Sequence, residues 1–110
     1  MKFKAKTLLV FGLRAKAHEV FEEILSINPE DVLALNSLGY EHLNKGELKQ
    51  ALVFFERALL QTPSIATSHF NVGFVLEELG RSQDAERAFR SAIQVDNKMD
   101  RAWYGLGLVL

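Results

Sequence analysis

The chain has 110 residues, of which 48% are hydrophobic and 25% are charged, a composition typical of a soluble globular protein and far from that of a disordered one. Its 13 basic and 14 acidic residues nearly cancel, which argues against a surface that binds nucleic acid or an acidic membrane by releasing counterions. The absence of cysteine excludes a disulfide framework, a thiolate zinc site and a thiol nucleophile. The length predicts one domain, and the charge favours a protein partner over nucleic acid.

The N-terminus has some features of a signal peptide, because three lysines within the first six residues precede an apolar run over residues 8–11. The run is short and is broken by Gly12 and Arg14. Cleavage after Ala17 would also cut into a segment that fits the repeat described next. We therefore interpret this segment as part of the fold and expect a cytoplasmic protein. No stretch reaches the roughly 18 apolar residues of a membrane helix, so the sequence predicts no membrane span.

A repeat of 34 residues runs through the chain, and such self-similarity indicates a stack of similar structural units. The positions that align are Leu38-Gly39 with Val72-Gly73 and Leu106-Gly107; Gly12 with Gly46 and Gly80; Ala17 with Ala51 and Ala85; and Phe21 with Phe55 and Phe89. Pro29 and Pro63 close two units, and Asn97 stands where a third proline would be. The predicted units are 1–31, 32–65 and 66–99, followed by one further helix over 100–110.

Each unit is predicted to form two amphipathic helices, A and B, because apolar residues recur at three- and four-residue steps on both sides of a central glycine. In the first unit, helix A lies before Gly12 and helix B around Phe21. Helices A and B lie around Leu38 and Phe55 in the second unit and around Val72 and Phe89 in the third. The further helix lies around Leu106. The central glycine favours a left-handed turn that reverses the chain after helix A, so A and B should pack antiparallel. The proline that ends a unit stops helix B.

A second set of glycines, Gly39, Gly73 and Gly107, falls inside helix A, where glycine costs about 1 kcal/mol relative to alanine. Their common register predicts that helix A approaches its own helix B closely at this point. The phenylalanines of helix B would fill the space between the helices, and we expect Phe55 to be buried.

The order of residues within a unit, a large apolar residue followed by Leu-Gly, another large residue, Ala, Phe, Ala and Pro, resembles the tetratricopeptide repeat. The second unit carries this pattern in Leu35, Leu38, Gly39, His42, Gly46, Ala51, Phe55, Ala58 and Pro63. The resemblance covers nearly the whole chain. It implies an all-α fold, a right-handed superhelical array of antiparallel helix pairs (an α-solenoid) with three repeats and one extra helix. It also implies a concave face, lined by A helices, that binds a peptide or helix of a partner protein.

The resemblance assigns particular A-helix residues to the concave face. They are Lys2, Lys6, Asn36, Tyr40, Asn44, Thr67, Phe70, Asn71, Phe74, Glu78, Arg101, Tyr104 and Leu108. The aromatic residues would anchor apolar side chains, the asparagines would hydrogen-bond a peptide backbone, and the lysines with Arg101 would supply positive charge toward the ends. A second interpretation stays open, in which the aromatic residues pack between adjacent A helices as core.

Some tetratricopeptide-repeat proteins grip the C-terminal carboxylate of chaperones with a clamp of lysines, asparagines and an arginine. This sequence matches that clamp at Asn71 and keeps a positive charge at Arg101. It has Asn36 in place of a lysine, Tyr40 in place of an asparagine and Gly105 in place of the arginine. We therefore do not expect a receptor for chaperone tails.

Nothing in the sequence resembles catalytic machinery, so we predict a non-enzymatic protein without cofactor or metal. His18, His42 and His69 are far apart in sequence, and there is no phosphate-binding Gly-Lys-Ser/Thr loop or nucleophile elbow. The pairs Glu22-Glu23 and Glu77-Glu78 point in different directions on a helix, and we interpret them as solvated faces.

Self-association is the alternative to peptide binding. The last predicted helix is apolar on almost every face, and repeat arrays normally end in a polar cap. Either the chain is a piece of a longer repeat protein, or a second copy covers this helix through Trp103, Leu106, Leu108 and Leu110, giving a homo-oligomer. RNA binding by a related helical-repeat class would favour a basic surface, which this chain lacks.

Overall fold

The computed structural model describes residues 16–110, and within that range every regular element is an α-helix. The helices are residues 16–27 (α1), Val32–Asn44 (α2), Leu48–Gln61 (α3), Ala66–Glu78 (α4), Ser82–Val95 (α5) and Asp100–Val109 (α6). The all-α fold expected from the sequence is confirmed. The predicted first helix A, with Lys2, Lys6 and Gly12, lies outside the described residues.

Each A helix of the two complete described hairpins ends in a left-handed glycine. Gly46 has a φ of 77°, its N–H bonds the Leu43 carbonyl at 3.0 Å, and the Glu47 N–H bonds the His42 carbonyl at 2.9 Å. The same hydrogen-bond pattern surrounds Gly80, whose φ is 80°. This is the Schellman motif, which satisfies helix-end carbonyls and needs a residue without a Cβ. The turns predicted from the glycine spacing are therefore present.

The other helix ends also follow from local sequence. Asp31 begins α2 by accepting a hydrogen bond from the Ala34 N–H to its Oδ1 at 2.9 Å, as an N-cap residue does. Helix α1 ends at residue 27 and α3 at Gln61, two residues before Pro29 and Pro63 respectively. Proline disfavours helical backbone at the residue before it, so the chain turns there into the next hairpin.

Within each hairpin, a glycine of the A helix faces a phenylalanine of the B helix. A Cβ added at Gly39 would lie 2.7 Å from the Phe55 ring, and one added at Gly73 would lie 2.9 Å from the Phe89 ring. Both phenylalanines are only 1% exposed. The close approach predicted for these two glycines, and the burial of Phe55, are confirmed.

The third glycine of this register behaves differently, because a Cβ on Gly107 would have no atom within 4 Å. The prediction concerned the approach of helix A to its own helix B, and no helix B follows α6 among the described residues, so it stays a prediction at Gly107. Gly105 makes such a contact instead, since its added Cβ would lie 2.6 Å from the Phe89 ring. Phe89 is therefore enclosed by two glycines, Gly73 of its own hairpin and Gly105 of the next unit.

The helices stack as a solenoid in which each of α2–α5 packs on the next helix along the chain, and α4 also contacts α6. Packing within the α2–α3 and α4–α5 hairpins is denser than packing between them. The main buried cluster runs continuously from α3 to α6, and its members are Ala51, Leu52, Phe55, Val72, Val75, Leu76, Ala85, Phe89 and Leu106. The A helices α2, α4 and α6 consequently line one face of the stack.

Candidate protein-binding groove

Two hollows lie side by side between the A helices. The α2–α4 hollow has a volume of about 180 Å³ and is lined by Tyr40, Leu43, Phe55, Phe70, Asn71, Phe74 and Arg101. The α4–α6 hollow has a volume of about 330 Å³ and is lined by Phe70, Phe74, Glu77, Glu78, Phe89, Asp100, Arg101, Tyr104, Gly105 and Leu108. Because Phe70, Phe74 and Arg101 belong to both, the hollows form one continuous groove, called the groove below.

Aromatic rings from the B helices form the floor of the groove. Phe55 reaches the α2–α4 hollow, where the Tyr40 ring meets it edge-on at 5.0 Å between centroids. Phe89 reaches the α4–α6 hollow, where its ring lies 5.8 Å from that of Phe70. The glycine contacts that let the helices approach thus also bring buried aromatic rings to the base of the groove.

The A-helix aromatic residues divide between the two interpretations that the sequence left open. Tyr40 is 42% exposed, Phe74 is 37% exposed and Tyr104 is 72% exposed, so these three present surface. Phe70 is half-buried and packs on both Phe74 and Phe89. It therefore serves as core and as groove wall at once.

Asn71 is the buried polar residue of the groove, with 5% of its surface exposed. Its Oδ1 accepts a hydrogen bond of 3.0 Å from the Tyr40 hydroxyl, which fixes the orientation of the amide. Its Nδ2 is buried and has no hydrogen-bond partner among the described residues. A buried donor without an acceptor is costly, and this one is left unsatisfied within the described part of the chain.

Charged side chains border the groove unevenly. The Arg101 guanidinium lies 4.8 Å from the centroid of the Phe70 ring, in a cation–π contact between the two hollows. Glu77, Glu78 and Asp100 all line the α4–α6 hollow. Our interpretation of Glu77-Glu78 as a solvated pair is wrong for Glu77, which is half-buried at the hollow.

Three further residues assigned to the concave face from the sequence, Asn36, Asn44 and Thr67, do not line either hollow. Asn36 is half-buried and its Oδ1 has no hydrogen-bond partner in the described part, Asn44 is exposed at the end of α2, and Thr67 is half-buried in α4. Lys2 and Lys6 fall outside the described residues. The positive charge expected toward that end of the groove therefore stays a prediction.

Several groove residues were not identified from the sequence: Leu43, Phe55, Glu77, Phe89, Asp100 and Gly105. The repeat predicts Phe55 and Phe89 as core residues, and both are buried, but it does not show that their rings border the hollows. Gly105 stands outside the repeated glycine positions, so the repeat gave no signal that α6 approaches its neighbour closely there.

Helix α6 carries exposed apolar residues, as expected, with one exception. Trp103 is 50% exposed, Leu108 is 58% exposed and Leu110 is 75% exposed. Leu106, which we had assigned to the same self-association surface, is only 6% exposed and packs into the main core with Phe89. That assignment is wrong for Leu106, because one side of α6 is already covered by the preceding hairpin.

The histidines occupy separate environments. His18 lies between two carboxylates, with Nδ1 2.6 Å from Glu41 and Nε2 2.7 Å from Glu22. The hydrogen bond with Glu41 is the main reason that the pKa of His18 is raised; burial opposes it and Glu22 adds to it. Among residues 16–110, no three His, Asp or Glu side chains cluster as a metal site would require. No helix in that range has the length and hydropathy to cross a membrane.

Comparison with known proteins gives matches over nearly the whole chain. A family model described as tetratricopeptide repeat matches residues 4–70 and 74–110. Human tetratricopeptide repeat protein 7B is 29% identical over 106 residues, which are 96% of this chain and 13% of that protein.

Solved structures agree with the sequence matches. MamA superposes with a TM-score of 0.82 at 23% identity, over 91% of this chain and 58% of that one. An O-GlcNAc transferase mutant from Thermobaculum terrenum has a TM-score of 0.77 at 28% identity, over 84% of this chain and 18% of that one. The chain thus corresponds to only a part of each of these proteins.

Proposed function

The chain belongs to the tetratricopeptide-repeat family, and from that membership we propose that it binds a peptide segment or helix of another protein in the groove. Domains of this family generally mediate protein–protein interaction. Some proteins that contain such repeats are enzymes, and the O-GlcNAc transferase of Thermobaculum terrenum is an example. In this chain the proposed role of the repeats is binding alone.

The observation that carries the proposal is the buried amide of Asn71. Asn71 lines a hollow bordered by exposed aromatic residues, and its Nδ2 has no hydrogen-bond partner among the described residues. A peptide carbonyl is an acceptor of the right kind, and the adjoining Tyr40 and Phe74 offer apolar surface for its side chains. Few convergent polar groups within a mostly apolar concavity are typical of a binding site.

Selection of random 12-residue peptides displayed on phage against the immobilised chain tests this proposal. Binding of the selected peptides is then measured by fluorescence anisotropy on a groove variant, Phe74→Ala/Tyr104→Ala, in which two exposed rings are shortened. We expect binding to weaken about tenfold or more, because exposed aromatic anchors dominate such interfaces.

A matched control truncates two apolar residues that line a separate hollow beside the B helices. Val53 is 55% exposed and Leu60 is 78% exposed there. Val53→Ala/Leu60→Ala should bind the peptides like the wild type. Equal binding by the folded groove variant, or failure of any peptide to be enriched, would argue against the proposal.

A second candidate function is self-association through the outward face of α6. The observation in its favour is the exposure of Trp103 and Leu110 on that helix. Light scattering on the wild type and on Trp103→Gln distinguishes the candidates. Self-association requires a dimer or larger species that Trp103→Gln dissociates, whereas a monomeric wild type leaves peptide binding as the better proposal.

A further inference from the structure

We infer that the groove selects a partner segment in which a lysine or arginine side chain accompanies a large apolar side chain. The apolar side chain would occupy the α4–α6 hollow, and the cation would lie against Glu77 and Glu78. This inference rests on the proposed function, since it specifies which class of peptide the groove binds.

The position of Glu77 and Glu78 is unfavourable for the free protein. They are the last two residues of α4, where helix carbonyls leave a partial negative charge, and no basic residue lies in that last turn. No ion pair joins either carboxylate to a cation of residues 16–110. Two carboxylates that oppose the helix dipole and border an open hollow are therefore suited to an external cation.

The third carboxylate of the hollow has a different explanation. Asp100 is the first residue of α6, where the positive end of the helix stabilises a carboxylate. The one basic side chain of the hollow, Arg101, is held over the Phe70 ring. The lining therefore carries three acidic groups against one basic group, and neither Glu77 nor Glu78 forms an ion pair within residues 16–110.

The apolar part of the same hollow is the reason that the partner segment should also carry a large apolar side chain. Its volume of about 330 Å³ is bounded by the Phe74, Phe89 and Tyr104 rings and by Leu108. That volume falls within the roughly 300–1,000 Å³ typical of ligand sites. A large aliphatic or aromatic side chain fills such a space and displaces water from the rings, with its neighbouring cation at the carboxylate rim.

The adjoining hollow gives an independent indication that a peptide occupies this groove. Asn71 is 5% exposed, and its Nδ2 lacks a partner in the described part. Phe70 and Phe74 line both hollows and lie between Asn71 and the carboxylates of Glu77 and Glu78. A peptide whose backbone carbonyl accepts the hydrogen bond from Asn71 would cross from one hollow to the other.

The test uses the phage-selected 12-residue peptides as probes and a charge variant, Glu77→Gln/Glu78→Gln, of the full chain. We expect the selected peptides to share a lysine or arginine at a fixed distance from a large apolar residue. Their affinity should fall about fivefold to tenfold on the charge variant, as for partly exposed ion pairs, and should fall in the wild type as salt is raised.

The control is Glu19→Gln/Glu23→Gln, which removes the same charge from two exposed positions of α1. It should bind the peptides like the wild type. A thermal melt gives a second readout, because removing Glu77 and Glu78 relieves the unfavourable contact with the helix end. The charge variant should therefore melt at or above the wild-type temperature while binding more weakly.

The outcomes separate this inference from the proposed function. If the peptides no longer bind Phe74→Ala/Tyr104→Ala but bind Glu77→Gln/Glu78→Gln as tightly as the wild type, the proposed groove would stand and the inference would be overturned. Enrichment of acidic peptides would also overturn the inference. Peptides indifferent to Phe74→Ala/Tyr104→Ala, or no enrichment at all, would overturn both.

Discussion

The Tyr40 hydroxyl donates a hydrogen bond of 3.0 Å to Oδ1 of Asn71, joining α2 to α4 across the groove. This contact adds a polar link between two hairpins whose helices α3 and α4 also pack through apolar residues. It also determines which atom of the Asn71 amide is left without a partner among the described residues. One hydrogen bond therefore contributes both to the stacking of the repeats and to the polarity of the groove.

Replacement of Tyr40 by phenylalanine should lower the free energy of unfolding by about 1 kcal/mol, because the buried Asn71 Oδ1 loses its donor. Urea denaturation followed by circular dichroism measures the change. Tyr104→Phe is the matched control, since Tyr104 is 72% exposed, and we expect it to change stability by less than about 0.5 kcal/mol. Equal stability of Tyr40→Phe and wild type would mean that the hydrogen bond contributes nothing measurable.

The glycines of the repeated register offer a comparison within one chain. Gly73→Ala should destabilise the protein by about 1 to 3 kcal/mol, because the new methyl group meets the Phe89 ring. Gly107→Ala meets no atom within 4 Å and should be neutral or stabilising by up to about 1 kcal/mol, as alanine is the better helix former. Thermal unfolding of both variants checks the pair. The packing explanation requires effects of opposite direction, and equal destabilisation would contradict it.

Truncation of Phe55 to alanine should cost about 3 to 5 kcal/mol, since the ring is 1% exposed and leaves a cavity between α2 and α3. Phe74→Ala removes a ring that is 37% exposed and should cost clearly less. Chemical denaturation of the two variants gives the comparison. Similar losses would show that Phe74 belongs to the core and would make it a poor probe of the groove.

The contact of α1 with α2 should depend on pH through His18 and Glu41. Below pH 6.5, the ordinary pKa of histidine, His18 is charged in both the folded and the unfolded protein and contributes its full stabilisation. This stabilisation is lost as pH rises through the pKa of His18 in the folded protein, which is raised. Burial by itself raises the pKa of Glu41, but hydrogen bonds from His18 and Lys45 outweigh it and lower that pKa. Its contribution is therefore present above 4.5 and lost as pH falls through the folded pKa.

The stability advantage of the wild type over His18→Gln should consequently be largest between about pH 4.5 and 6.5 and should decline in more alkaline solution. Denaturation measured across a pH series tests this. Glu41→Gln should reduce the decline, because it removes the main group that raises the pKa of His18. A stability difference between the wild type and His18→Gln that does not change with pH would contradict a contribution from the ion pair of His18 with Glu41.

Features set by neighbouring residues could be predicted from the sequence. The turns at Gly46 and Gly80, and the packing of Gly39 and Gly73 on the phenylalanines, follow from repeat spacing and backbone sterics. The contact of Gly105 with Phe89 could not be predicted in the same way. It depends on the angle between successive hairpins, which no residue spacing within a repeat specifies.

The groove was predictable in outline and not in its chemistry. The resemblance to the tetratricopeptide repeat assigned Tyr40, Phe74 and Tyr104 to it. The hydrogen bond between Tyr40 and Asn71, and the presence of Glu77 in the rim, depend on how α2, α4 and α6 stack in space. The same holds for His18, whose partner Glu41 is 23 residues away in another helix.

The difference in packing within and between hairpins has a mechanical consequence. The Gly39–Phe55 and Gly73–Phe89 contacts pack the two helices of a hairpin closely, while α3 meets α4 through a less dense contact without such a glycine. Bending should therefore concentrate at the α3–α4 contact, because Gly105 packs on Phe89 between α5 and α6. Small rotations there would widen or narrow the α2–α4 hollow without disturbing either hairpin.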